Sequence, residues 1–593
     1  MPQPHRLEPL RLVAPDPGRR PRVLFLFSLL SALLLTVGLL AGSPVSAQAA
    51  TSAAGAAPLG SLSYPVPSGA LFVSVSSGQD SNAGTSSAPL KTVAAAIGRA
   101  KSGGTIVLRA GVYHEAVVIP TNKPLTIQPY LQDVVWFDGS SALSGFAASG
   151  TTWTVSNWTF APTSVMNGVA DNPGFVDPAH PMAARPDQVF YDGVAMRQVG
   201  SASQVTAGTF SVDRSARTLT IGSSPSGHKV TGSTLGQAIY VMAPGSVLQG
   251  FGVRRYATDY ANRSALRLAN INISARQLIV EDSAMIGINV ENNNVVLDHV
   301  TVTRSGLLGI GANASYGLVI KNSSVTGNNS EQFKPAPVSG GIKITRTRGI
   351  TITGNNTSDN FGSGIWLDES CYNATVTNNV SSGNQYTGIQ MEISSNAIIA
   401  NNDVSNQQFG MQLFDASNVK IYNNTIGNNS KFGIRIYQDQ RRQATASFAG
   451  HDPRQAIPDP TVPWITKNIT IANNVFGAGG FFQIWALDGV THIPADSMAI
   501  TVAGNLFNHR TTMAQSTLLA WGGSDNSTIK RYDTAASMLA KSSAFKNSET
   551  TSSKSLSQMS ADIAAAGAGA VALPTDVASA VGTSAGTKRV GRF

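Results

Sequence analysis

Between Lys343 and Tyr437 the chain sets acids, bases, amides and aromatics at a repeating interval. Lys343, Trp366, Gln390, Gln412 and Arg435 form one series. Thr345, Asp368, Glu392, Phe414 and Tyr437 form a second, two residues further on, and neighbours within each series lie 22 to 24 residues apart. Arg346 and Glu369 adjoin the second series. Sugar rings stack on aromatic faces, and their hydroxyls need fixed donors and acceptors, so this mixture describes a carbohydrate groove. Trp366, Gln390, Gln412, Phe414 and Arg346 are its expected binding residues. Lys343, Asp368, Glu369, Glu392, Arg435 and Tyr437 are its expected reacting centre.

Two chemistries fit the acids. Carboxyls about 5 Å apart repel unless one is protonated or a cation lies between them. At about 5–5.5 Å, Asp368 and Glu392 could serve as acid and nucleophile of a retaining glycosidase. Alternatively they hold Ca²⁺, which neutralises a uronate while Lys343 or Arg435 removes the proton α to its carboxyl group. A third reading has no reaction: a surface protein that binds glycans or partners through the same face. Cys371 is read as a packed small hydrophobe, since no His lies near it in sequence.

Placing these residues on one strip requires a repeat, and the sequence carries one. A Gly-(Ile/Met)-x-apolar signature begins at Gly287, Gly309, Gly341, Gly364, Gly388, Gly410 and Gly433, with Ala265-Leu266-Arg267-Leu268 one step earlier. A second alternating run follows in each unit, as in Gly349-Ile350-Thr351-Ile352 and Val419-Lys420-Ile421. Asn pairs come next: Asn355-Asn356, Asn378-Asn379, Asn401-Asn402, Asn423-Asn424 and Asn473-Asn474. Period-2 alternation predicts strands. Asn tolerates the left-handed turn conformation, and stacked amides can form a ladder. Strand and turn at 22–24 residues predict an all-β, parallel β-helix whose coils share one core. Residues one and three after each Gly face that core. Residues two and four after it face outward.

The Gly-Ile and Asn-Asn repeats resemble the right-handed parallel β-helix proteins of the pectate-lyase-like superfamily. The N-terminal part is also similar to the entry of exported bacterial members. It runs through Leu71-Phe72-Val73-Ser74, Gly78-Gln79-Asp80-Ser81 and Pro89-Leu90-Lys91-Thr92, then a capping helix over 93–100 and a first coil from Gly103. The resemblance covers residues 70–140 and 240–510. It implies the fold, and lyase, hydrolase, epimerase or adhesin functions on it. The Ca²⁺-assisted route is the one that resembles these enzymes.

The expected organisation is a signal segment over 1–49, a linker over 50–66, cap and first coils over 67–140, a β-rich insertion over 141–239, repeats over 240–510 and a Ser/Ala-rich tail over 511–593. Arg6, Arg11, Arg19, Arg20 and Arg22 precede an uncharged apolar run over 23–40, and Ala47-Gln48-Ala49 fits a cleavage site. This predicts a secreted or cell-surface bacterial protein that meets the membrane only if the segment is uncleaved. Of 593 residues only 13% are charged. The net charge of +9 arises largely at the two termini, so no nucleic-acid partner is expected. A monomer acting on, or binding, a polysaccharide is expected. Asn157, Asn262, Asn355, Asn373, Asn423 and Asn468 begin N-x-S/T sequons, several inside the repeats, and are read as structural. The segment from Asp439 to Pro460 breaks the repeat and carries Asp439, Arg441, Arg442, His451, Asp452 and Arg454. Long loops leaving a rigid scaffold often carry function.

Overall fold

A computed structural model describes residues 54–260, 263–441, 448–509, 518–523, 529–552 and 554–593. The expected export segment, the sequon at Asn262 and Arg442 lie outside the described residues. The fold is the expected parallel β-helix. One sheet has 14 strands, from Leu71–Val73 to Phe545–Lys546, and a second has 13, from Val117–Ile119 to Lys530–Tyr532. The third comes in two six-stranded pieces, joined by the bridges Ser324–Asn356 and Asn356–Val380. The second sheet carries the repeating Gly-Ile strands.

Its core column is Ile288, Ile310, Ile342, Ile365, Ile389, Met411, Ile434 and Ile484, each paired in register with the next and at most 1% exposed. Burying each such side chain stabilises by about 1.5–3 kcal/mol relative to leaving it in water. Each coil supplies one, so coils are stable only as a stack.

The preceding glycines have a steric cause. A Cβ on Gly309, Gly341, Gly388 or Gly410 would sit 2.5 to 2.7 Å from the carbonyl oxygen of the glycine one coil on. The pairing also skips the glycine: Leu308 pairs with Gly340 and Ile310 with Ile342. The residue before the glycine thereby turns outward. Replacing Gly410 by Ala places a methyl 2.5 Å from the Gly433 oxygen and 2.7 Å from Asn429 Nδ2. We expect a loss of about 1–3 kcal/mol in a denaturant titration, the usual cost of overpacking.

The Asn pairs divide two tasks. Asn378, Asn401, Asn423 and Asn473 have φ between 53° and 59° and turn the chain. Asn379, Asn402, Asn424, Asn474 and Asn505 point inward and bond coil to coil at 2.9–3.0 Å. The first pair is offset by one residue: Gly354 (φ 69°) makes the turn and Asn355 joins the ladder, donating to Asn379 Oδ1 at 2.9 Å.

The helix Val93–Arg99 covers the first coil, with Thr92 accepting from Ala95 N and Glu115 accepting from the backbone N–H groups of Val93 and Ala94. Residues 140–233 form a separate β-rich body with its own core of Trp158, Val189, Phe210, Leu219 and Ile221. Both ends of the described chain lie along the coils. Gly55 N donates to Asn322 O, and Ala56 and Ala57 bond Thr301 and Gln277, so residues 55–57 are held against the helix. At the other end, Leu573, Val577 and Ala578 cover Ala400, Tyr422 and Ala472, and Asn423 Nδ2 donates to the carbonyls of Arg589 and Gly591.

Candidate functional site

The outer face of the Gly-Ile sheet carries a groove of about 660 Å³. Its floor is a run of adjacent strands, Ile286–Val290, Leu308–Asn313, Gly340–Thr345, Ser363–Asp368, Thr387–Glu392 and Phe409–Phe414. Its walls come from the interruptions of the repeat. Phe175 of the insertion, the turn Ala336-Pro337-Val338, and Arg441 and Ala449 of the long loop all line it. At one end Met166, Phe175 and Val176 pack on Met285, Ile286, Leu307 and Leu308.

Eight of the expected residues line this groove: Lys343, Arg346, Trp366, Asp368, Glu369, Gln390, Glu392 and Phe414. Lys343 Nζ donates to Asp368 Oδ2 at 2.7 Å and to the Pro337 carbonyl, and lies 3.5 Å from the Trp366 ring centre. These three acceptors use the three ammonium N–H bonds. Asp368 Oδ1 accepts from Glu369 N at 2.7 Å. Arg346 pairs with Glu369 at 2.8 Å. On the next rung Glu392 accepts from Arg441 Nη1 at 2.7 Å and from Gln390 Nε2 at 2.8 Å. Leu367 pairs with Met391, so Asp368 and Glu392 follow on adjacent strands, about 4.8 Å apart in the backbone.

Electrostatics separate the acids. Burial, then the Asp368 charge, pushes the Glu392 carboxyl above the usual range, against the pull of Arg441. Burial and Asp368 also raise Glu369, opposed by Arg346 and Lys343.

Three expected residues lie elsewhere. Gln412 is fully buried, donating to Thr387 Oγ1 and accepting from Arg435 Nη1 at 3.5 Å. Arg435 sits among rings, 4.9 Å from Phe414, 5.1 Å from Tyr437 and 4.8 Å from Trp485. Tyr437 stacks on Trp485 at 5.7 Å. These residues form a packed aromatic layer beyond the groove. Trp366 also differs from expectation. It is 4% exposed with Lys343 over its ring, so its face is taken and provides no stacking platform.

Sequence reasoning passed over Tyr386, Ile286 and Leu308. The outward turn before each repeat glycine presents Ile286 and Leu308 to the groove. Arg441 was visible only as a charge in an irregular loop. Behind it, Asp415 is fully buried and accepts from Gln438 Nε2 at 2.6 Å and Asp439 N at 2.8 Å. Arg441 lies 3.3 Å from Asp415 and 2.8 Å from Asp439. Burial, then the Asp439 carboxyl, raises Asp415 to about 8. The native state therefore keeps this proton where the unfolded chain has released it. Stability conferred below the ordinary carboxylate range is lost as pH rises towards about 8. We expect Asp415→Asn to flatten that decline, measured as denaturation midpoint against pH between 4 and 8.

The acids do not fit a Ca²⁺ ion. Asp368 and Glu392 are each engaged by a cation of the chain, whereas Ca²⁺ takes 6–8 oxygens. Among the described residues no group of three or more His, Cys, Asp or Glu could hold a metal ion.

Comparison with known proteins bears on the fold. A family described as periplasmic copper-binding protein (NosD) matches residues 268–532, and one described as a protein of unknown function (DUF1565) matches 76–155. The lone Cys371 is buried, its thiol pushed up to about 12 by burial. No curated protein sequence matches the chain. Among solved structures, the complex of XylC with xylose is 14% identical, covering 74% of this chain and 83% of that one, with a TM-score of 0.55. A glycoside hydrolase at 13% identity covers 74% and 94%, with a TM-score of 0.33. The A-module of the Azotobacter vinelandii mannuronan C-5 epimerase AlgE6, at 14%, covers 68% and 85%, with a TM-score of 0.39. At these identities the likeness concerns the fold.

Proposed function

We propose that this right-handed parallel β-helix protein of the pectate-lyase-like superfamily is an exported glycoside hydrolase whose groove binds and cleaves a polysaccharide or a piece of one. The observation that carries the reading is the pair Asp368 and Glu392. They stand on adjacent strands in different surroundings: Asp368 is held by Lys343 and a backbone N–H, while burial and the Asp368 charge raise the Glu392 carboxyl. Two carboxyls separated in this way are the acid and base assignments of a glycosidase. Glu392 protonates the leaving oxygen. Asp368 attacks the anomeric carbon, and water then releases the sugar with Glu392 as base.

Elimination is less well supported. Lys343 is held by Asp368, the Pro337 carbonyl and the Trp366 ring, and Arg435 is enclosed by rings outside the groove. The XylC complex is named for a bound sugar, which accords with this reading. The Arg-rich apolar segment at residues 1–49 supports export, and among the described residues no helix is long and apolar enough to cross a membrane. The test is a panel of oligosaccharides followed by NMR of the first product. Reducing ends that retain the anomeric configuration support the proposal. An unsaturated uronate product overturns it in favour of a lyase. Binding without any product leaves a glycan-binding protein.

A further inference from the structure

The groove holds two polar atoms that the protein leaves unpartnered. Trp366 Nε1 and Gln390 Oε1 are buried and make no hydrogen bond, on residues each only 4% exposed that line the groove. They belong to a registered pair on adjacent strands. Both orientations are fixed by neighbours. Gln390 Nε2 donates to Glu392 Oε2 at 2.8 Å, which makes the amide oxygen the free end. Lys343 lies over the Trp366 ring, which leaves the indole edge. A buried polar group without a partner is costly, so two on a registered pair of groove-lining residues are places for a ligand to complete. An N–H donor beside a C=O acceptor complements hydroxyl groups, which can both accept and donate.

The charged groups in the same groove are arranged oppositely. Lys343 faces Asp368 at 2.7 Å, Arg346 faces Glu369 at 2.8 Å, Arg441 faces Glu392 at 2.7 Å and Arg263 faces Glu291 at 3.3 Å. A uronate carboxylate entering here would have to separate one of these pairs and leave a carboxylate of the chain unpaired in a half-enclosed space, which is costly.

We infer that Trp366 Nε1 and Gln390 Oε1 form a sugar subsite beside the Asp368–Glu392 pair that selects an uncharged glycan over a uronate. The inference rests on the carbohydrate reading of the groove and adds the class of sugar. Gln390 thereby serves two partners, orienting Glu392 through its nitrogen and the sugar through its oxygen.

The experiment is calorimetric titration of the full chain with β-linked gluco-, xylo- and manno-oligosaccharides and with oligogalacturonate and oligomannuronate. The expected result is that an uncharged oligosaccharide binds most tightly and that Trp366→Phe weakens it about tenfold. The ring and its contact with Lys343 are kept in that variant. Monodeoxy derivatives of the tightest ligand, titrated into the unaltered protein, give the same answer without relying on a variant. One derivative loses about tenfold, and Trp366→Phe or Gln390→Leu then adds little further loss for it. Tightest binding by a uronate oligomer overturns the inference while leaving a glycan groove in place. So does an affinity unaffected by every deoxygenation. Binding of neither set overturns the carbohydrate reading itself.

Discussion

Glu392→Gln lowers kcat on the cognate glycan by about 10²–10⁴-fold, the range for loss of a general acid, with little change in ligand affinity. The amide keeps the shape but accepts from only one of Arg441 and Gln390, which bond different carboxyl oxygens at 2.7 and 2.8 Å. It cannot give up a proton. Asp368→Asn has a comparable effect for a different reason: the nucleophile is gone and Lys343 loses its counter-charge in a buried setting. The pH profile carries the signs. Glu392 must be protonated to act as acid, and its carboxyl is raised by burial and by Asp368. Activity therefore falls as pH rises through that raised value. In Glu392→Gln the alkaline limb is absent from the residual rate. Wild-type turnover by Glu392→Gln would show that the pair is structural.

Asn402→Ala has the largest expected effect on stability. Asn402 Oδ1 accepts from both the backbone and the side-chain nitrogen of Asn379 at 2.9 Å. Its Nδ2 donates to Val376 O at 2.9 Å and Asn424 Oδ1 at 3.0 Å. All of these atoms are buried. Truncation leaves the Asn379 N–H without a partner, removes one of the two acceptors of Asn379 Nδ2, which keeps Ile352 O at 3.0 Å, and takes a donor from Val376 O, at about 1–3 kcal/mol for a stranded group. We expect a loss of about 3–5 kcal/mol in chemical denaturation, and faster hydrogen exchange in the neighbouring coils. Asn402→Asp separates packing from polarity. It retains an oxygen towards Asn379 but sets another against the Asn424 oxygen, so it should be at least as damaging. If both variants unfold like the parent, the ladder is incidental to stability.

The contrast between these two regions explains what could be read from the chain. Columns are legible because one register runs through many coils. The Gly-Ile strands and the ladder Asn announced themselves by recurrence, and the place of Asp368 and Glu392 at the ends of neighbouring strands followed from counting. Counting fails where the backbone departs from alternation. The skipped pairing at each repeat glycine turns the preceding residue outward, so Ile286 and Leu308 reach the groove from a position that parity assigns to the interior. Parity also says nothing about what lies above an outward residue. Gln412, Arg435 and Tyr437 do leave the core, but Phe409, Phe414 and Trp485 crowd around them and the groove ends before them. Arg441 stands in a loop without periodicity. Its place against Glu392 depends on the tertiary path of that loop.

The inward-facing ladder bears on where this protein can be made. Asn355 begins a sequon, yet its nitrogen is bonded to Ile320 O and Asn379 Oδ1 inside the coil; Asn423 begins another, and its nitrogen is bound beneath the C-terminal strap. A glycosylating secretory pathway modifies such sites on the nascent chain, before any coil has closed. A sugar tree on either nitrogen would occupy space that the next coil or the strap must fill. Expression in such a host should therefore yield misfolded product, recoverable by Asn355→Gln and Asn423→Gln only to the extent that Gln can substitute in those bonds. A host lacking that modification has no such obstacle. The amides that hold successive coils together thus also restrict the compartments in which the chain can mature.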